Sequence, residues 1–239
     1  MTDNLYSFSR QEAKSLGRLA QWKENHRDNI RCARDIENLI ASHTQDGQLE
    51  PDCARAALDW WSFHRVQFVL SNTLGGADAQ GFDPDSLRWA QAVYVPPDKT
   101  NGAFKIKADS SMLAQFVQQT YAEYQKLGLF GARHCSAELD YTSKVLILRP
   151  SVLKEECWFP QNQLWYCEGG FGSSPTARGR AVYATCLGDG EKTRWDRTDF
   201  VGVLDEQYLP DWAMERLSEL RGPAQEQTGS PAQGGMEMG

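Results

Sequence analysis

The chain has little of what catalytic and metal-binding proteins usually display. Its 239 residues include only four His and six Cys. No two cysteines form a C-x-x-C pair. H-E-x-x-H is absent, and so is H-x-E followed by C-x-x-C, so the ligand spacings of zinc hydrolases and zinc deaminases are missing. Neither G-x-x-x-x-G-K-[ST] nor G-x-G-x-x-G occurs, and no Lys stands where a P-loop needs one. No apolar run approaches the roughly 20 residues needed to span a bilayer. The opening Met1-Thr2-Asp3-Asn4 lacks a basic n-region and an apolar h-region, so a cytosolic location without a membrane partner is expected. Positive charge is also short: 25 Lys and Arg stand against 32 Asp and Glu, a formal charge of −7, with a pI of about 5.2. That disfavours general binding to nucleic acid, which needs a positive face. It suits approach to basic surfaces, including those that hold nucleic acid. No catalytic, metal or cofactor site is expected.

Hydrophobic residues make up 41% of the chain, enough for a buried core, and the length allows one large domain or two small ones. Aromatics reach 11%, with eight Trp, which can serve a core or a binding surface. Cys32, Cys53, Cys135, Cys157, Cys167 and Cys186 are scattered singly, as buried free thiols of a reducing compartment are.

Hydrophobic periodicity predicts helices in the N-terminal half. Residues 9–43 read as one helix, opened by Ser9 and Glu12 at capping-box spacing and closed at the Asp46-Gly47 turn. Further helices follow from Pro51, from Phe63 to Leu74, from the Asp83-Pro84 cap, and from Ser110 or Ser111 to about Leu127. Phe104–Lys107 alternates like a strand. After Gly131 the pattern changes to strands at Val145–Leu148, Gln163–Cys167 and Val201–Leu204. A hairpin joins Ala181–Leu187 to Lys192–Arg197 about Asp189-Gly190, and that turn sets Ala184 opposite Trp195. Pro210 opens a last helix. The expected class is α+β: a mainly helical module (1–130), a small antiparallel β-sheet with a C-terminal helix (131–222), and a disordered tail (223–239).

Three surfaces are candidates for function. Gly169, Gly170, Gly172, Ser173 and Ser174, followed by Arg178 and Arg180, form a glycine-rich turn after a strand. Backbone N–H groups there could cradle a phosphate, although such glycines more commonly serve a tight β-to-β connection. Lys23, Arg27, Arg31 and Arg34 form a basic stripe at helical spacing, suited to phosphates but more commonly a solvated face. Trp158 and Phe159, with Asp189 and Glu191 of the hairpin, are candidate anchors for a protein partner. His134-Cys135, near Glu138 and Asp140, fails as a catalytic pair, since neighbours along a strand face opposite ways.

Several segments resemble a known family: residues 22–32 (Trp22 to Cys32), Arg65 to Thr73 and Leu87 to Ala90, then Gly169 to Pro175, Gly179 to Tyr183, Asp189 to Glu191 and Asp199 to Gly202. Together they are similar to an uncharacterised domain-of-unknown-function family carried by conjugative elements and phages of gut Firmicutes. The resemblance covers roughly residues 5–221 and implies context rather than chemistry. It points to accessory cargo of a mobile genetic element, a class that often protects its element from restriction or CRISPR defence. The expectation is a non-enzymatic binding protein with a protein partner, extending to inhibition of a host defence nuclease. The alternatives are a nucleotide or phosphorylated ligand held, or acted on, at Gly169–Arg180, and nucleic-acid binding through the residue 23–34 stripe.

Overall fold

A computed structural model describes residues 7–75 and 80–221. They divide into two compact units. One holds the residues up to Gly131 together with Leu148–Gln163; the other holds Ala132–Ile147 and the residues from Leu164 onward. Segment 148–163, which the sequence places in the β module, therefore belongs with the helices. The class is the expected one, with helices first, then an antiparallel sheet and a C-terminal helix. The expected tail, 223–239, lies outside the described residues.

The first unit opens with α1 (Arg10–Ser15). Its capping box is complete: Glu12 N donates to Ser9 Oγ at 3.2 Å and Ser9 N to Glu12 Oε2 at 2.6 Å. The single helix expected over 9–43 is in fact two. Gly17 takes φ +70°, which only glycine adopts freely, and the chain restarts as α2 (Leu19–Ser42). Asp46 and Gly47 both have positive φ, the type I′ geometry that joins β1 (Thr44–Gln45) to β2 (Gln48–Leu49). Next come α3 (Cys53–Trp60), α4 (Phe63–Leu74), α5 (Pro84–Ala90) and α6 (Ser110–Lys126). Asp83 caps α5 ahead of its N-terminal proline. The cap of α6 is Asp109 rather than either serine: Ser111 N donates to its Oδ1 at 2.8 Å.

The strand expected at 104–107 does not form. Phe104 ends a 3₁₀ turn, and the next amides find side-chain acceptors. Ile106 N donates to Thr73 Oγ1 at 3.0 Å and Lys107 N to Glu37 Oε1 at 2.7 Å, so no partner strand is needed. The alternation still holds, because Phe104 and Ile106 point into the core beside Phe68, Leu70 and Phe116.

Polar side chains lock the helices together. Arg65 on α4 donates to Asn29 Oδ1 at 2.7 Å and to Asn25 O at 3.1 Å, both on α2. Gln67 Nε2 reaches Trp89 O at 2.7 Å, Ser71 Oγ reaches Val93 O at 2.6 Å, and Asn72 Nδ2 reaches Asn101 O at 2.7 Å. Each of these buried side chains is satisfied by a carbonyl in the last turn of α5, in the connection after it, or at the start of the 3₁₀ turn at Asn101, which fixes those segments in place.

In 148–163, α7 (Pro160–Gln163) follows Trp158. The Trp158 ring is 4% exposed and packs beside Phe63, His64 and Tyr124, while its Nε1 donates to Pro150 O at 2.8 Å. Glu155 accepts the amide of Phe63, supplying a carboxylate at the N-terminus of α4. Burial raises the carboxyl pKa of Glu155.

The sheet contains β3 (Val145–Leu148), β4 (Leu164–Gly169), β5 (Ala181–Cys186), β6 (Lys192–Asp196) and β7 (Phe200–Val203), ordered β6-β5-β4-β3-β7. β3, β4, β5 and β6 pair antiparallel in succession, and α8 (Asp211–Arg221) follows. The β5–β6 hairpin forms, but two residues out of the expected register: Val182, not Ala184, stands opposite Trp195. The strands already close where Cys186 N donates to Glu191 O at 2.8 Å, leaving Leu187–Gly190 as the loop. An even shift preserves faces, so Val182, Ala184, Cys186 and Trp195 still share one side.

All six cysteines are free thiols, and Cys32, Cys53, Cys167 and Cys186 are buried. Burial pushes the Cys32 thiol up to about 12 and those of Cys53 and Cys186 up to about 11. Among the described residues, no helix is long and apolar enough to cross a membrane.

Candidate partner-binding surface

The glycine-rich segment is built for packing. Gly169 and Gly170 take φ +142° and +110° as the chain leaves β4, and Phe171–Ser173 forms a 3₁₀ turn. A Cβ on Gly170 would lie 2.4 Å from Ala181 O, and one on Gly172 would lie 2.2 Å from Arg180 O. Both positions are therefore occupied by the backbone entering β5. The turn also directs carbonyls, not N–H groups, at a charge. Arg197 Nη1 donates to Gly172 O at 2.6 Å and Ser173 O at 3.0 Å, and Nη2 to Leu139 O at 2.5 Å. The same guanidinium lies 3.8 Å from the Tyr141 ring centroid. Ser173 donates to Gly170 O through both N and Oγ, and Ser174 Oγ lies 3.1 Å from Thr176 Oγ1. Arg180 Nε meets both oxygens of Asp196, at 3.0 and 3.1 Å. Of the seven residues singled out here, Arg178 is the exposed cation for which no bond is resolved among the described residues.

Asp196 sits between Arg180 and the following turn. Hydrogen bonds from the Thr198 hydroxyl and amide, then Arg180, hold its carboxyl down at about 2, below the ordinary 3.8. A depressed carboxyl contributes stability above its unfolded value, and that contribution is lost as pH falls toward 2. We expect carbon-detected NMR to place Asp196 as an early-ionising carboxyl, and Thr198→Val to move its midpoint upward.

The other predicted residues divide. Lys23, Arg27, Arg31 and Arg34 all lie on the exposed face of α2, with Arg31 3.3 Å from Asp28. Asp189 and Glu191 are exposed and serve the hairpin loop: Glu191 N donates to Asp189 Oδ1 at 2.9 Å and Thr193 Oγ1 to Glu191 Oε1 at 2.8 Å. Phe159 is exposed. Trp158 is buried, which corrects its expected place on a surface; its ring fills the core beside the start of α4.

Sequence reasoning missed the aromatic surface of the second unit. Phe171, in the glycine-rich turn, is 77% exposed, and Tyr183 on β5 is 52% exposed, paired across the ladder with Arg194 of β6. Phe171, Arg180, Arg194 and Trp195 line a hollow of about 470 Å³. Trp195 Nε1 is buried and has no hydrogen-bond partner among the described residues. Alternation in β5 already put Tyr183 outward, and an aromatic ring between glycines was the available sign for Phe171. A second cleft, of about 730 Å³, lies beside α8 with Val145, Val203, Leu204 and Leu217 among its walls.

No curated protein and no solved structure matches the chain. A family model does match, over residues 5–125, a stretch that takes in α1 and runs nearly to the end of α6. Its description is a protein of unknown function, DUF3849, and the chain belongs to that family.

Proposed function

We propose that the chain is a non-enzymatic binding protein carried by a mobile genetic element. Its partner is another protein, and the resemblance of the sequence points to a host defence nuclease as the class. The observation that supports binding is the exposed surface around Phe171, Tyr183 and Arg194 beside the Trp195 hollow. Aromatic rings and arginine standing free of the core are the residue types that dominate protein interfaces. The carbonyls of Gly170, Gly172 and Ser173 and the Ser173 hydroxyl already bond within the chain, two of those carbonyls to a cation, which favours this reading over a phosphate ligand at that turn.

The test is affinity capture from host lysate, with and without nuclease treatment, read by mass spectrometry. A stoichiometric protein partner should survive the nuclease, and a Phe171→Ser, Tyr183→Ser double variant should reduce its capture by about tenfold or more. An association lost on nuclease treatment would instead locate function on the α2 stripe, and no partner at all would sink the reading.

A further inference from the structure

We infer that the free edge of β6 is a strand-addition site, which takes an extended segment of a partner protein with an acidic residue opposite Arg194. The inference rests on the binding-protein reading and goes further, naming the recognition mode and the chemistry of the segment.

β6 is the outermost strand, so one side of its backbone has no neighbour in the sheet. Which groups face outward follows from the ladder. Cys186 N donates to Glu191 O, and Arg197 N to Arg180 O. In an antiparallel pair, hydrogen-bonded positions alternate. The pairs Ala184–Thr193 and Val182–Trp195 are therefore the bonded ones, and Thr193 and Trp195 turn their backbone groups toward β5. Lys192, Arg194 and Asp196 turn theirs away. The amide of Asp196 is taken by Asp199 Oδ2 at 2.8 Å. The C=O of Asp196 opens the 3₁₀ turn at Arg197–Asp199, so the N–H and C=O of Lys192 and Arg194 remain for an incoming strand, a short ladder of the kind used in β-augmentation.

Edges are usually guarded by a charged side chain. Here the guards are drawn aside. Lys192 Nζ reaches across β5 to Glu168 on β4 at 2.9 Å, and Arg180 is held by Asp196. Arg194 is exposed, and no acceptor for its guanidinium is resolved among the described residues. In an acidic chain, that leaves one uncompensated cation at the centre of an open ladder. An incoming carboxylate directly across from it satisfies cross-strand charge pairing. The neighbouring hollow, with Phe171 and Trp195 among its walls, takes the next side chain of the segment, an apolar or aromatic one.

The experiment uses the full chain and a phage-displayed library of random decapeptides. Selected sequences should carry Asp or Glu flanked at alternate spacing by apolar residues. A synthetic copy should slow hydrogen exchange at the amides of Lys192 and Arg194. Arg194→Pro, which removes one outward N–H at a position where an edge strand accepts proline, should weaken binding by about tenfold, and so should Arg194→Glu. The second variant keeps the backbone donor and guards against misfolding of the first. No enriched sequence, a basic consensus, or binding that leaves those two amides unprotected would overturn the edge site. A stretch of oligothymidylate bound in place of peptide, sensitive to Arg194→Glu but not to Arg194→Pro, would overturn it in favour of nucleic acid. Should the partner captured from lysate bind both Arg194 variants as well as wild type, the edge site falls while the binding reading stands.

Discussion

Gly170→Ala is expected to destabilise the sheet unit by about 3 kcal/mol or more, and Gly172→Ala by a similar amount. At either position the added methyl would meet main chain rather than a movable side-chain end: Ala181 O at 2.4 Å for Gly170, Arg180 O at 2.2 Å for Gly172. Relief requires moving the start of β5, and with it the Arg180–Asp196 pair and the Arg197 bonds to the turn. Gly170 carries a further cost of about 1 kcal/mol, because its φ of +110° lies where L-residues are strained. Gly102→Ala is the control, since nothing lies within 4 Å of a Cβ there. Urea unfolding followed by residue-level hydrogen exchange separates the two units, as a bulk signal from a chain of two units does not. If both variants were as stable as wild type, the glycines would be there for something other than packing, and a ligand cradle at Gly169–Ser174 would regain its case.

The helical unit has its own sensitive position. Trp158→Ala should cost about 3–5 kcal/mol, the range for removing a large buried aromatic. The loss has three parts: a cavity beside Phe63, His64 and Tyr124; the unanswered carbonyl of Pro150; and weaker anchoring of the segment that carries the Glu155 cap. The adjacent Phe159 is 56% exposed, and Phe159→Ala should stay within about 0.5 kcal/mol of wild type. Thermal unfolding of the pair decides between roles. A Trp158 variant of wild-type stability that had lost a partner would restore Trp158 to an interface.

Most helices were legible because their signals are local. The capping box at Ser9, Pro84 behind Asp83, and the apolar spacing of α4 and α6 depend on neighbours within one or two turns. The failures share a different cause. Two Asp-Gly pairs occur, and they behave differently. Asp46-Gly47 makes the two-residue turn, with both φ positive, whereas at Asp189-Gly190 only the glycine is positive. There Leu187 is 2% exposed and its amide donates to Leu164 O at 2.8 Å. Burial of Leu187 against β4 outweighs the local turn preference, and the hairpin closes one pair earlier. Phe104–Lys107 failed similarly, as Thr73 and Glu37, far away in sequence, supply its acceptors. Trp158 was misplaced because no periodic pattern surrounds it; its burial comes from residues about 30 and 90 positions away, Tyr124 and Phe63. At the surface, charge and glycine were conspicuous in the sequence, but exposure of Phe171 and Arg194 depends on strand order, which no local signal encodes.

The segments that carry the family resemblance also take on a physical meaning. Asn29, Arg65, Gln67, Ser71 and Asn72 fall in them, and each is committed to holding one helix or connection against another. Such residues specify an architecture. Of the groups proposed to meet a partner, Phe171 and Tyr183 fall in the later segments of the resemblance and Arg194 outside them.

The return of Leu148–Gln163 to the helical unit bears on the order of events at the ribosome. A nascent chain reaching Gly131 has every helix of that unit from α1 to α6, yet lacks the Trp158 plug and the carboxylate for the start of α4. Domains ordinarily fold as they emerge, N-terminal first. Here the helices must wait, partly finished, while β3 is translated without its partner β4. Synthesis of a further 32 residues, through Gln163, completes the first unit just as the second begins to pair. A chain terminated at the end of α6 would thus present an open apolar seam at Phe63 and Tyr124 and be drawn toward chaperones, although it contains the whole stretch that defines its family.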